Sequence, residues 1–532
     1  MVGRTAGPRE RRESVEISRR KLLQLGLVGL AGAGLSGCGP RANSGEGEQP
    51  MMPQYISVHK TDTGGAGPGP YWFQQDPSSV SQAGIEEILG GLQRGGANRR
   101  LAFAYSLSYL NFPLAAEREV LHNLLSLASA NDLPLLIHLD GVNWWSAQSA
   151  LWNWWDPSAP GYARDNVNNV EWYGPSAAQA VKLGWRDWGS QIRVSPQPNL
   201  ASPRFLEAQQ SGLEALIPPI VRWYRNLGPA RRHLLAGVVL GWETSTYVNA
   251  YFYPNGNSYL EQYPTDATHD PRTGIQGSVP LGYAALHSLG QLPQGRPIQA
   301  EDIDRVVARY LGQLSGWAAG MGLPRGKLLT HTLSGTTIGA QGQPASGGMG
   351  SLTTDAMPGW SFYNSSPHAV DPPLQEIDGT PWGAVEFQPW GLSASLFEEY
   401  LGYRNCRWVD IFNWESIKTS PASLAAINAA VKAAPATLLE PALLLEGRVH
   451  GPHVTLSWEP DPAAVRSRLE VTRQPGLNVA GELATPSVLD LDVTRQRRHN
   501  LDLGPGTYQW TVVGTDASGA RLSAEAETFT VA

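Results

Sequence analysis

The sequence predicts an α/β chain, a closed barrel of eight parallel strands with covering helices, followed by a small all-β sandwich. Three observations point that way. From Gln54 onward short apolar runs alternate with helix-like stretches, the pattern of a parallel sheet. Three of those runs deliver a glutamate beside an aromatic residue: Leu234–Glu243, Trp382–Phe387 with Glu386, and Arg407–Glu415. After about residue 447 the pattern becomes strand-like alternation instead.

The 532 residues suffice for one large core and a second small one. A net charge of -7 with only 16% charged residues gives no footprint for nucleic acid and suits an uncharged ligand. The 19 tryptophans are the sharper signal, because an indole offers a flat apolar face to the C–H face of a sugar and an N–H to its hydroxyls. Core packing is the competing use for each of them.

Residues 1–37 read as an export signal. Ser18-Arg19-Arg20-Lys21 precedes an apolar segment from Leu22 to Leu35, which fits a twin-arginine route or an ordinary secretory one. Leu35-Ser36-Gly37-Cys38 has the form of a lipoprotein cleavage site, so Cys38 is the expected lipid attachment point, anchoring an exported protein on the outer side of a bacterial membrane. Cys406 then has no partner and reads as a small core residue. Residues 38–53 are rich in Gly, Pro, Ser and Glu, a flexible tether.

Within 54–433, strands are expected near Tyr55–Val58, Leu101–Tyr105, Pro134–Leu139, Leu235–Gly241, Lys327–His331, Trp360–Tyr363, Gly383–Phe387 and Trp408–Asn413. Helices are expected near Val80–Arg94, Ala115–Ala130, Pro203–Leu227, Ala300–Gly320, Ser393–Leu401 and Pro421–Ala433. The eight-fold count is weakest between the sixth and seventh strands and in the long insertion after the fourth. The loop after the third strand, from Asp140 through Trp145 and on to Trp188, and the tyrosine-rich loop after Glu243 are read as cleft walls. Residues 434–447 read as a linker and 448–532 as a sandwich.

The barrel resembles the clan of retaining β-glycosidases built on (β/α)8 (TIM) barrels, in which glutamates ending the fourth and seventh strands serve as acid/base and nucleophile. The resemblance implies these roles for Glu243 and Glu386. It also implies a platform role for Trp414, and for Tyr363 a hydroxyl that supports the nucleophile. The chain departs from the clan at Trp242, where an asparagine contacting the sugar usually precedes the acid/base. Leu456-Ser457-Trp458 and Leu503–Tyr508 resemble a fibronectin type III domain over roughly the last 85 residues.

The physical requirement stands beside the resemblance: glycosidic cleavage needs a proton for the leaving oxygen and an anion facing the developing cation, hence two carboxylates in unlike settings. Glu243, in an apolar setting, is the expected acid, and Glu386, held ionised by donors such as Tyr363 or Asn413, the expected nucleophile. Glu415 is the spare, serving in place of Glu386, binding substrate hydroxyls or pairing with Arg407. Asp140, Trp145, Trp414, Tyr363, Asn413 and Glu415 are the expected substrate contacts. His59, His138 and His331 read as isolated and hydrogen-bonded, so no metal and no cofactor is expected. Two other classes remain open: a lipoprotein that binds saccharide without cleaving it, and a scaffold whose barrel has lost activity.

Overall fold

The computed structural model describes residues 53–60 and 81–434 except 143, 188–190, 247–251, 253–278, 335–347, 378–379, 390 and 413. It also describes 445–450, 453–458, 466–473, 488–494, 498–503, 505–515, 521–522 and 527–531. Cys38, Asn413, the tether and most of the linker therefore lie outside the described residues.

Nine parallel strand segments make one sheet: β1 Gln54–His59, β2 Arg99–Leu107, β3 Leu135–Leu139, β4 Leu235–Leu240, β5 Leu328–Thr330, β6 Thr332–Leu333, β7 Gly359–Phe362, β8 Trp382–Phe387 and β9 Cys406–Phe412. Their order is β5-β4-β3-β2-β1-β9-β8-β7-β6. The two ends of that order, β5 and β6, are separated in the chain only by His331, so one interrupted strand joins β4 to β7 and the sheet is nearly a closed ring. Counting β5 and β6 as one, every expected strand is present and Trp382–Phe387 is the seventh.

The six expected helices form at Gln82–Gly91, Leu114–Asn131, Pro203–Asn226, Ala300–Gly320, Ala394–Leu401 and Pro421–Lys432. Serine caps explain four of the starts: Ser81, Ser202, Ser393 and Ser420 accept from the backbone N–H of Gly84, Phe205, Leu396 and Ser423. Between β7 and β8 the described residues form a 3-10 turn and a short helix, Asp371–Gln375, where the sequence lacks a helical pattern.

Strand alternation fills the ring. Tyr55, Ala102, Ala104, Leu136, Ala236, Leu329, Met357, Val385 and Trp408 pack together as an inner core. Trp408 spans it, its indole N–H donating to the Ala236 carbonyl of β4 at 3.0 Å. The outward positions, such as Val409 and Ile411 of β9, pack with the helices in a separate, larger cluster. No helix among the described residues is long and apolar enough to cross a membrane.

The described residues between 445 and 531 form two antiparallel sheets. One contains Leu445–His450, His453–Trp458 and Arg498–Asp502; the other is built on Arg466–Arg473 and Gly506–Thr515. Val454, Leu456, Trp458, Leu469, Val471, Tyr508, Trp510 and Val512 are buried together, inward residues of alternating strands. The strand Leu445–His450 begins inside the stretch expected to be linker, because Leu445–Val449 pairs register for register with Val454–Trp458.

Candidate active site

Glu243 leaves β4 through a turn that strains the backbone. Gly241 has φ +78° and Glu243 φ +44°, the left-handed region that a glutamate rarely occupies. Trp242 between them turns inward and packs against His59, His138, His331 and Phe412, with ring centroids 5.2–5.6 Å away. The indole thus fills the mouth of the barrel, and its burial offsets the strain that holds Glu243 in place. Glu243 is fully buried.

Glu386 reaches the same place by a bulge. Ala384 of β8 lies opposite Trp360, but Glu386 lies opposite Ser361, so two residues of β8 face one of β7. Strict alternation would turn Glu386 outward, since Val385 before it belongs to the inner core. The extra residue re-aims Glu386 inward.

Tyr363, just past β7, joins the two. Its hydroxyl lies 2.8 Å from Glu243 Oε1 and is also hydrogen-bonded to Glu386 Oε1. Two such bonds meeting at one oxygen hold the bonded carboxyl oxygens within about 6 Å of each other. A phenol has one hydrogen and can donate it once, so the second bond requires a proton from a carboxyl group. Burial, the charge of Glu243 and then that of Asp410 push the Glu386 carboxyl well above the usual range, with Tyr363 and Ser361 pulling the other way. Tyr363 is itself pushed up by burial and by both glutamates, so it stays a neutral phenol. One proton held between the pair satisfies both bonds to the phenol and accords with the raised Glu386 carboxyl, in the manner of coupled carboxylates. Burial thus acts against the expected ionised state of Glu386, and Tyr363, one of the two expected donors, acts for it; Asn413, the other, lies outside the described residues.

Beneath the pair lies a polar column. His331 Nε2 is 2.7 Å from Ser361 Oγ and 3.7 Å from Glu386 Oε2, while Ser361 Oγ is 3.5 Å from that same carboxylate oxygen. Asp410 is the base of the column: its Oδ2 is 2.8 Å from His59 Nδ1 and 3.1 Å from His138 Nε2, and its Oδ1 accepts from Ser57 at 2.5 Å. Burial disfavours the Asp410 carboxylate, yet His59 and His138 together hold it well below the usual range. Burial pushes His138 down to about 4, against Asp410. The three histidines are thus not isolated, which corrects the sequence reading. Ring closure sets Ser57 against Asp410 and His59 against Phe412, residues 353 positions apart in the chain. His59, His138 and Asp410 offer three donor atoms within 4.8 Å of one another, a set that suits a divalent cation. The 2.8 Å contact of His59 is a hydrogen bond, whereas His138 Nε2 makes no hydrogen bond among the described residues and meets Asp410 as a close ion-pair contact.

Several expected substrate contacts are engaged elsewhere. Trp145 is buried, donates to the Pro196 carbonyl at 2.9 Å and packs edge-on against Phe205. Trp414 is buried in the outer core with its N–H on Glu87 at 3.1 Å. Both are corrected from cleft to core: their faces are covered by protein, as the apolar area of an indole favours. Asp140 is buried and accepts from the Val142 N–H at 2.9 Å, closing a turn. Glu415 pairs with Lys60 at 3.2 Å. Pairing with Arg407 is excluded by the strand between them, since Arg407 is the second residue of β9 and Glu415 lies beyond its far end, roughly 16 Å of strand away. Among the loop tryptophans, Trp152 stacks on Trp155 at 5.5 Å, so the loop packs partly on itself.

No family model matches the chain, and no curated protein sequence matches it. Solved structures similar to it include a double mutant of Cellulomonas fimi endo-β-1,4-mannanase, 11% identical, covering 91% of this chain and 95% of that one with a TM-score of 0.28. Another is a Bacteroides uniformis β-glucuronidase covalently bound to a cyclophellitol-6-carboxylate aziridine, 8% identical, covering 90% of this chain and 46% of that one with a TM-score of 0.29. A third is a fibronectin III domain of a human protein, 11% identical, covering 16% of this chain and 78% of that one with a TM-score of 0.14. Similarities this distant assign no role to any residue.

Proposed function

We propose that the chain is a glycoside hydrolase that cleaves a β-linked saccharide with retention of configuration, with Glu243 as acid/base and Glu386 as nucleophile. The observation that carries this reading is the single Tyr363 hydroxyl bonded to both carboxyl groups. It keeps them close, as a direct displacement by a carboxylate needs, whereas inversion needs room for a water between them. The pair also holds one proton, the count the first step consumes. The Glu386 carboxylate attacks the anomeric carbon, the bond to the leaving oxygen breaks, and that oxygen takes the proton from Glu243. In the second step the Glu243 carboxylate takes a proton from water, whose oxygen displaces Glu386 and releases the sugar. A sugar between the carboxyl groups would part Tyr363 from Glu243 and leave its hydrogen on Glu386, favouring the proton on Glu243.

The export signal, the Cys38 anchor and a fibronectin type III-like C-terminal module complete the proposal: a cell-surface enzyme acting on carbohydrate outside the cytoplasm. Cys38→Ala should move the protein from washed membranes to the soluble fraction, and its retention in membranes would dismiss the lipid. The chemistry is tested by screening the chain from Gly39 onward on aryl glycosides and polysaccharides, following product configuration by NMR. Inverted product would exclude the nucleophile role. Saccharide binding without turnover on any substrate would favour the binding lipoprotein.

A further inference from the structure

His331 touches the settings of both carboxyl groups. It is the residue that interrupts β5 and β6, and its carbonyl accepts from the Thr244 N–H at 2.9 Å, fixing the residue after Glu243. Its ring is fully buried, and Nε2 lies 2.7 Å from Ser361 Oγ. Nδ1 has no hydrogen-bond partner among the described residues. Ser361 has one hydrogen, and the tautomer of His331 decides where it points. With the proton on Nε2, the imidazole donates to Ser361 and the serine hydrogen is free for Glu386 Oε2 at 3.5 Å. With the proton on Nδ1, the Nε2 lone pair accepts the serine hydrogen, Oγ is left with only lone pairs to turn toward the carboxylate, and a buried N–H is left unpaired. The first arrangement is the stable one beside an anion.

We propose that His331, acting through Ser361, is a positioning residue that aims the serine hydroxyl at Glu386 and so biases the proton shared by the pair toward Glu243. This rests on reading Glu243 and Glu386 as the catalytic pair. The ionisable groups facing Glu386 are Glu243 and Tyr363 at the mouth, His331 from the interrupted strand, and Asp410 of β9, whose charge acts against ionisation. His138 stands behind His331 with ring centroids 6.0 Å apart, and His59 lies beyond it on Asp410. Neither carries a hydrogen to Glu386, so the Ser361 hydroxyl is the path by which this column reaches it.

The test uses the full chain labelled with 13C at the glutamate carboxyl, with the signals of the pair identified by their loss in Glu243→Gln and Glu386→Gln. In Ser361→Ala and in His331→Leu the lower apparent pKa of the pair should rise by about half a unit to one unit, the effect of a lost donor. His331→Gln, whose amide N–H reaches close to the position of Nε2, should restore most of the wild-type value. The double variant should shift no further than either single one, because both act through one hydrogen bond. On a turned-over glycoside, the acidic limb of kcat/KM should move by the same amount. An unmoved titration in folded Ser361→Ala, or additive shifts in the double variant, would overturn the proposal; Ser361→Ala decides the matter if His331→Leu does not fold. A shifted titration in a protein that turns over no glycoside would sink the glycosidase reading and leave the wiring standing. Activity with an unmoved titration would do the reverse.

Discussion

Two glutamates of this chain are equally hidden and differently surrounded. Glu171, in the loop after β3, is fully buried, and its carboxylate accepts from four backbone N–H groups: Trp172 at 3.3 Å, Gly282 at 3.0 Å, Ala284 at 3.2 Å and Ala285 at 3.3 Å. Burial pushes its pKa from 4.5 up to about 8, and those four bonds offset only part of that. It ties one loop to the start of the helix Tyr283–Ser288, a task of holding. Glu386 is buried as well, and it faces a second carboxylate across a phenol that can donate once. A buried carboxyl group is therefore no mark of chemistry by itself. The mark is a neighbour that keeps its charge unsettled, which is the condition for a proton or a bond to move.

The strongest way to test that contrast is to neutralise each carboxylate. Glu386→Gln should lower kcat by about four orders of magnitude or more, since an amide cannot form the glycosyl ester. The same variant should melt no lower than wild type at neutral pH, because the change removes a group that burial and Glu243 already disfavour as an anion. A protein that retains turnover eliminates the assignment and makes Glu415 the next candidate. Glu243→Ala should regain activity with external azide and give a product of retained configuration, the small anion replacing water that the lost base would have activated. A rescued product of inverted configuration would contradict the proposed pair. Tyr363→Phe comes next. Losing the donor aimed at the pair should reduce kcat by about 10²–10³. If the loss appears only in KM, Tyr363 merely holds substrate.

How far these roles could be read from residues alone depends on whether one strand or several are needed to see them. Glu243 and Glu386 end apolar runs, and each run shows its own direction and end, so both were visible singly. The eight strands were visible for the same reason. The His59–Asp410 contact required ring closure, which sets the first strand beside the last, and no window of sequence contains it. The bulge that turns Glu386 inward breaks the alternation on which sequence reading relies. Trp145 misleads because loop composition reports how much apolar area must be covered and not what covers it, and Trp414 because a resemblance in strand order does not fix where an indole packs; protein covers both. Glu171 was overlooked because its partners are backbone N–H groups, which every sequence contains.

The holding carboxyl group should respond in the opposite sense to Glu386, the proposed nucleophile. Glu171→Gln leaves one oxygen to accept where two did and turns an amide NH2 toward backbone N–H groups, so the fold should lose about 2 kcal/mol. The kcat of the folded fraction should stay within a small factor of wild type. A fall in kcat at unchanged melting temperature would place Glu171 in the chemistry and blur the contrast.

A third buried carboxyl group gives the smallest effect and sets the baseline for the other two. Glu117, on the helix Leu114–Asn131, is buried, and neither of its carboxyl oxygens has a hydrogen-bond partner among the described residues. Burial alone pushes its pKa from 4.5 up to about 8. Between those values the folded chain keeps a proton that the unfolded chain has released, so stability falls as pH rises through that window. The contribution is fully present below pH 4.5 and is lost as pH passes about 8. At about 1.4 kcal/mol per unit the shift would amount to several kcal/mol; water entry on ionisation should reduce this to roughly 2. Glu117→Gln has no proton to lose, so it should melt a few degrees above wild type at pH 8 and close to it at pH 5. Wild type carries the same pH dependence from Glu171 and Glu386 as the variant does, so the difference between the two curves isolates Glu117. A gap that is equal at both pH values would mean that the carboxyl group is solvated in the folded protein, and burial alone would no longer explain it.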